Sequence, residues 1–282
     1  MDRRKLEEAI FKGLMFCSIF LVVGSLLTII GIVLIKGLPA LSIQMLTQIP
    51  QGGYYLGKEG GILNAIVGSL YLAGGATALA FVISLPVALY IEEYAGKSKL
   101  ADFARLSLDV LWSVPSIVFG AFGFAIMTFL GMRASLLGGI VTVALLILPI
   151  MVRAMDEVVR VISFELKESS YALGATKFET VFKVVIRQAS PGILTAVLLA
   201  FGRGIGDAAS VLFTTGYTDR IPSSLFDPVA TLPLAILFQL GTPFPEVQNR
   251  AYASAVVLTF IILALSVASR FLTKGLTKYI VR

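Results

Sequence analysis

The chain has 282 residues, 57% of them hydrophobic and 14% charged, with a formal net charge of +6 and a mean hydropathy of +0.91. That balance excludes a soluble globular domain and assigns the chain to the integral membrane class. The absence of histidine excludes histidine metal sites and histidine acid-base chemistry, and a single cysteine, Cys17 in an apolar run, excludes an intramolecular disulfide and is expected as a buried thiol.

Residues 1–13 carry Arg3, Arg4, Lys5 and Lys12 and are expected as a cytoplasmic N-terminal segment. The apolar run 14–35 follows, about 22 residues and so long enough to span a hydrocarbon core of roughly 30 Å. A cleaved signal peptide would have a shorter apolar region ending at a small-residue site, so the run reads as a retained first span. Residues 36–61 form a polar connector in which Gly52, Gly57 and Lys58 imitate a phosphate-binding loop. Glu59 stands where a magnesium-coordinating Ser or Thr belongs and no strand precedes, so no nucleotide site is assigned. The second span, 62–91, is long for one crossing and is interrupted late by Pro86.

A polar stretch, 92–105, precedes the third span, 106–130, where Pro115 lies between Ser113 and Ser116 and a kink is expected. The fourth span, 135–152, contains Pro149, and the fifth runs over 191–215. An outer connector, 216–250, includes an apolar stretch at 231–237 that reads as a short re-entrant or interfacial helix; the sixth span is 251–272, and a basic tail, 273–282, ends the chain. With the N-terminus inside, 17 of the 23 Lys and Arg lie on the cytoplasmic side and five outside, with Arg203 within a span. The positive-inside rule therefore places both termini and the loop around 153–190 in the cytoplasm.

Within that loop, residues 163–193 have a helix, break, helix grammar. Ser163 is placed to cap a short helix and Gly174 to end it in the left-handed conformation. Thr176 followed by Glu179 predicts a capping box opening a second helix, with Phe178, Val181, Phe182 and Val185 on one face. Pro191-Gly192 is expected to interrupt that helix before the fifth span. By periodicity alone an amphipathic loop lying on the membrane fits equally well.

The segment Glu168-Ser169-Ser170-Tyr171-Ala172-Leu173-Gly174, with Val184 and Ile186 further on, resembles the EAA motif of ABC-importer permeases. It departs in Ser169 and Ser170 for two alanines, in Val184 and Ile186 for Ile and Leu, and in Arg187 for a proline, with the register intact. The phrase continuing through Ala175, Thr176 and Lys177, together with Pro191-Gly192-Ile193, is similar to the phosphate-importer permeases of the PstA type. The resemblance implies that Glu168, Ser169, Ser170, Ala172, Gly174, Ala175, Thr176 and Lys177 belong to a coupling helix that docks into a separate ATPase subunit.

The fifth span also holds Phe201-Gly-Arg-Gly-Ile-Gly-Asp207. Arg203 lies about 12 residues beyond Pro191, roughly 18 Å along a helix and so near mid-bilayer, where an unpaired guanidinium costs at least about 2.5 kcal/mol. Asp207, four positions on, shares its helix face and is expected to pair with it, beside a small-residue stripe of Ala196, Ala200, Gly204 and Ala208. Two readings stand: a self-neutralising structural pair, or a translocation path in which Arg203 offers two parallel donors to an oxyanion and Asp207 orients it. Phosphate permeases carry a similar Arg-Ala-Ile-Gly-Glu phrase.

The expected architecture is an all-α integral membrane protein of six transmembrane helices, resembling the type I ABC importer permease fold. The resemblance implies a permease subunit that moves inorganic phosphate by alternating access, paired with a second, homologous permease subunit, two ATPase subunits and an extracytoplasmic phosphate-binding protein in the inner membrane. This chain would catalyse no reaction and hold no cofactor or metal; ATP and magnesium belong to the ATPase, and no nucleic-acid partner is expected. The alternatives are a permease for another oxyanion (sulfate, molybdate or phosphonate) and a secondary transporter or channel, which leaves the Gly174 loop unexplained.

Overall fold

The computed structural model describes residues 3–51, 59–96 and 98–277. The phosphate-loop imitation at 52–58 and the end of the tail, 278–282, lie outside them. Among the described residues five helices are long and apolar enough to cross a membrane, and six crossings result if a bent pair counts as one span. Among the described residues the fold is all-α apart from a two-residue strand pairing, β1 (Pro50–Gln51) with β2 (Glu59–Gly60).

Helix α1 (Arg3–Gly37) is largely uncovered by the rest of the chain and meets α11 towards its C-terminal end, at Lys36 and Gly37. Cys17 is consequently exposed, which corrects the expected burial. A short α2 (Ile43–Thr47) leads to α3 (Leu63–Leu89), which runs on into a π-helical turn, Tyr90–Ala95. Pro86 lies inside α3 without interrupting it.

The third span departs most from expectation. α4 (Lys99–Ser113) and α5 (Ser116–Phe129) meet at 98° across Val114-Pro115, a full break rather than a kink. Pro115 denies α-helical geometry to the residue before it, and Val114 is extended (φ −69°, ψ 129°). Only the 14 residues of α5 remain to cross, while α4 carries a polar edge of Asp102, Arg105 and Asp109.

α6 (Leu136–Arg160) is the central helix, packed against α3, α4, α5 and α9. It leads into α7 (Phe164–Ala172) and α8 (Lys177–Thr180). A second π-helical turn, Val181–Val185, joins α8 to α9 (Ile186–Ile205) without a break. Pro191 therefore does not interrupt the helix as expected. The Arg187 carbonyl that its missing N–H leaves free accepts instead from the Ser190 hydroxyl at 2.8 Å. Where α9 packs on α6, Ala196, Ala200 and Gly204 are buried, as the small-residue stripe predicts, whereas its fourth member, Ala208, lies beyond the end of the helix and is partly exposed. A Cβ at Gly192 would sit 2.3 Å from Val158 Cγ1, so this approach is available only to glycine. In a bilayer such close backbone contact, rather than water exclusion, holds helices together.

The fifth span ends early: α9 stops at Ile205, and the chain to residue 231 is irregular rather than helical to 215. Its buried backbone is satisfied by neighbours, as non-helical chain at membrane depth requires. Thr214 and Thr215 carbonyls accept from Ser135 and Val229, the Asp227 carbonyl from Leu136, and the Leu232 N–H donates to Ser69 Oγ at 2.8 Å. The predicted short helix is α10 (Leu232–Leu240), capped by Thr231, and α11 (Pro245–Thr277) is the last of the membrane-length helices.

Candidate coupling and translocation site

The predicted helix, break, helix grammar is realised over 163–180. The Ser163 side chain accepts from the Glu165 N–H at 3.2 Å and opens α7. Gly174, at φ +83°, turns the chain between α7 and α8; nothing lies within 4 Å of where its Cβ would be, so what demands glycine is the backbone conformation alone. Thr176 Oγ1 accepts from the Glu179 N–H at 3.3 Å and Glu179 accepts from the Thr176 N–H at 3.0 Å, a complete capping box. The Ser170 and Thr180 hydroxyls meet at 2.9 Å and tie α7 to the base of α9.

The apolar face predicted for the second helix is divided. Val181 and Val185 are buried in the core, whereas Phe178 and Phe182 are exposed and packed on each other at 4.4 Å. Leu173 beside the Gly174 turn is 89% exposed, and Phe164 and Val161 are exposed too. Glu168, Ser169, Ala172 and Lys177 are also exposed, and Ala175 is half-buried. The segment thus presents an apolar, polar-edged knob that its own chain does not cover.

Sequence reasoning missed what lies beneath it. Asp156 of α6 is fully buried and accepts from Arg105 (Nε 2.9 Å, Nη2 3.1 Å), Arg153 (3.3 Å) and Arg160 (3.1 Å). Arg105 also donates to Glu92 at 2.7 Å, and Arg153 to Asp109 at 2.8 Å. Three guanidiniums around one carboxylate offset its desolvation. The cluster locks the π-helical end of α3 to α4 and α6. Its local signal was readable, since Arg153 and Arg160 flank Asp156 at helical spacing; the contributions of Glu92 and Arg105 come through tertiary folding alone.

Arg203 and Asp207 are separated by the fold. Because α9 ends at Ile205, four-residue spacing no longer puts them on one helical face, and among the described residues no ion pair or hydrogen bond joins them. Asp207 is buried and accepts from the Ser210 N–H at 2.8 Å, capping the turn after α9. Arg203 projects from the last turn, about a quarter turn round from the Gly204 stripe, on an exposed face with Leu199 one turn before it. A cleft of about 280 Å³ lined by Leu199, Gly202 and Ser266 borders that face between α9 and α11. The self-neutralising pair is therefore not formed; the guanidinium is directed away from the chain's own core.

The family model for the binding-protein-dependent transport system inner membrane component matches residues 10–281. The chain is 32% identical to the phosphate transport system permease protein PstA of Haemophilus influenzae, over 95% of this chain and 94% of that one. It is 32% identical to PstA 1 of Mycobacterium tuberculosis (95% and 88%), and 30% identical to the probable ABC transporter permease YqgI of Bacillus subtilis (95% and 96%). Among solved structures, a chain of the MetNI methionine ABC transporter in inward-facing conformations superposes with a TM-score of 0.64 at 20% identity, covering 77% of this chain and 96% of that one. A chain of a bacterial ABC transporter importing alginate superposes with a TM-score of 0.62 at 12% identity, over 98% and 100%. Both likenesses establish the fold, that of type I ABC importer permeases. By its sequence over nearly its whole length, the chain belongs to the binding-protein-dependent transport system inner membrane component family.

Proposed function

We propose that this chain is a permease subunit of an ATP-driven importer for inorganic phosphate. The observation that carries the reading is the exposed helix, break, helix knob at 163–180, in a chain related over 95% of its length to proteins named as phosphate permeases. The knob's exposed Leu173, Phe178 and Phe182 are suited to fill an apolar groove on an ATPase subunit, and Gly174 fixes the angle at which they are presented. ATP and magnesium are bound by that partner, two copies of which serve a pair of homologous permease subunits, while an extracytoplasmic binding protein delivers phosphate to the outer side. Both termini are cytoplasmic, in keeping with the Lys and Arg distribution.

The mechanism is alternating access. Closure of the ATPases displaces the knob, and the membrane helices rock around a path that Arg203 lines. A guanidinium suits a tetrahedral oxyanion because it donates two parallel charge-assisted hydrogen bonds and keeps its charge at any physiological pH. Asp207 orients the segment after α9 rather than Arg203 directly, through its bond to Ser210. The test is phosphate uptake by cells carrying Arg203→Ala or Arg203→Lys with assembly verified by co-purification. Loss in the first and partial retention in the second are expected; normal uptake by Arg203→Ala removes Arg203 from the path. Competition by sulfate, molybdate and phosphonate ranks the oxyanions.

A further inference from the structure

The knob touches the membrane body at more than its covalent ends. α7 has no buried residue of its own. Yet Lys167 in its middle reaches Glu93 at 2.5 Å, and these two side chains are only 14% and 6% exposed. Glu93 lies in the π-helical turn that ends α3, 74 residues away in sequence. Both its neighbours are engaged as well. Glu92 is held by Arg105 and Arg160, which hold buried Asp156, and the Tyr94 ring lies 4.8 Å beneath the Lys177 ammonium.

Three consecutive residues thus connect the knob to a fixed charge cluster. A displacement of α7 reaches α6 through the linker 161–163 and α9 through α8, because the chain is continuous there. It reaches α3 only through non-covalent contacts. Among these the Glu93–Lys167 pair is largely removed from water, so it resists separation in a way that exposed pairs do not. It also sits on a π-helical turn, a local irregularity found often at functional positions.

We propose that the Glu93–Lys167 pair is the link that transmits movement of the knob to α3, anchored by the Glu92–Arg105–Asp156 cluster; this rests on the coupling role proposed above. Glu93 and Lys167 are positioning residues, touching neither substrate nor nucleotide.

The test uses the complete transporter in proteoliposomes and reads phosphate transported per ATP hydrolysed. Glu93→Lys and Lys167→Glu are each expected to keep assembly and ATP hydrolysis while the transport yield falls by roughly tenfold, within the ordinary range of coupling between sites. The double exchange, which restores opposite charges in reversed order, is expected to recover most of the yield. Lys183→Ala breaks the exposed pair with Glu179, whose side chains are 74% and 42% exposed, and is expected to match the wild type. If a reversal prevents assembly, Glu93→Gln replaces it, with the same shape and no charge, and is expected to lower the yield. Wild-type yields in the single variants, or an assembled double exchange as defective as the singles, overturn the link. A wild-type complex without phosphate-stimulated hydrolysis overturns the coupling role itself, a separate result.

Discussion

Replacing Asp156 by alanine removes the centre of the charge cluster, and the cost can be worked from its contacts. The carboxylate accepts four hydrogen bonds from three arginines and has no exposure to solvent. Each charge-assisted bond is worth about 1.5–3 kcal/mol, but they do not add. Arg105 keeps Glu92, Arg153 keeps Asp109, and Arg160 is 46% exposed and can rehydrate. The net loss is therefore set by like charges left close together in a partly buried site, about 3–5 kcal/mol. At roughly 2–4 °C per kcal/mol for large chains, the thermal midpoint of the purified complex falls by about 6 °C or more. Glu157→Ala serves as the comparison. Glu157 is on the same helix, 65% exposed and 3.9 Å from Arg153, and its loss costs under about 1 kcal/mol. The assay is the fraction of complex remaining monodisperse after stepwise heating. Equal midpoints for the two variants would refute the claim that Asp156 organises the cluster.

Gly174→Ala is expected to cost about 1–2 kcal/mol through its left-handed backbone and to lower ATPase coupling, with Gly174→Asn milder; equal coupling ratios in all three proteins would show that the turn angle is immaterial. Gly192→Leu forces α9 from Val158 on α6 and costs at least about 1–3 kcal/mol, read as reduced yield of folded subunit against Gly202→Leu, where the Cβ site is open. Asp227 accepts from the Ser223 hydroxyl and from the Ser223 and Ser224 N–H groups, which hold its carboxyl below the ordinary carboxylate range. A depressed folded value means that its stabilisation of the loop is complete above the unfolded pKa of 3.8 and is lost as pH falls through the folded value. Exchange protection of those two amides, corrected for intrinsic rates, should stay level from about pH 8 to pH 5 and decline only below about pH 4. In Asp227→Asn it should be low throughout.

What could be read in the sequence was what depends on short-range rules. Hydropathy located six crossings, and side-chain capping located the ends of α7 and α8, because Ser163, Gly174, Thr176 and Glu179 act within a few residues of themselves. The errors arose where distant chain decides. Pro115 and Pro191 look alike as breakers and each has a serine beside it, but the Ser190 hydroxyl bonds the Arg187 carbonyl that Pro191 orphans, whereas the Ser113 hydroxyl bonds the Val110 carbonyl and the helix ends with Val114 extended. The Arg203–Asp207 pairing assumed that the helix continued, and α9 stops because the segment after it finds its hydrogen bonds with α6 and the outer connector. Glu93 with Lys167, and Glu92 with Arg105, are brought together from the end of α3, α4 and α7 by the tertiary fold, so no local pattern announces them, unlike Arg153 and Arg160, which flank Asp156 at helical spacing.

On the proposed function, this chain couples an ATPase to phosphate movement through the knob at 163–180 and a path containing Arg203. The most direct measurement is ATP hydrolysis by the reconstituted complex with and without phosphate and its binding protein, in the native chain, Arg203→Ala and Gly174→Asp. The prediction is stimulation by phosphate in the native complex, hydrolysis without phosphate transport in Arg203→Ala, and loss of stimulation in Gly174→Asp with the membrane subunits still assembled. Native complex indifferent to phosphate, or Gly174→Asp stimulated as fully as the native chain, would contradict it.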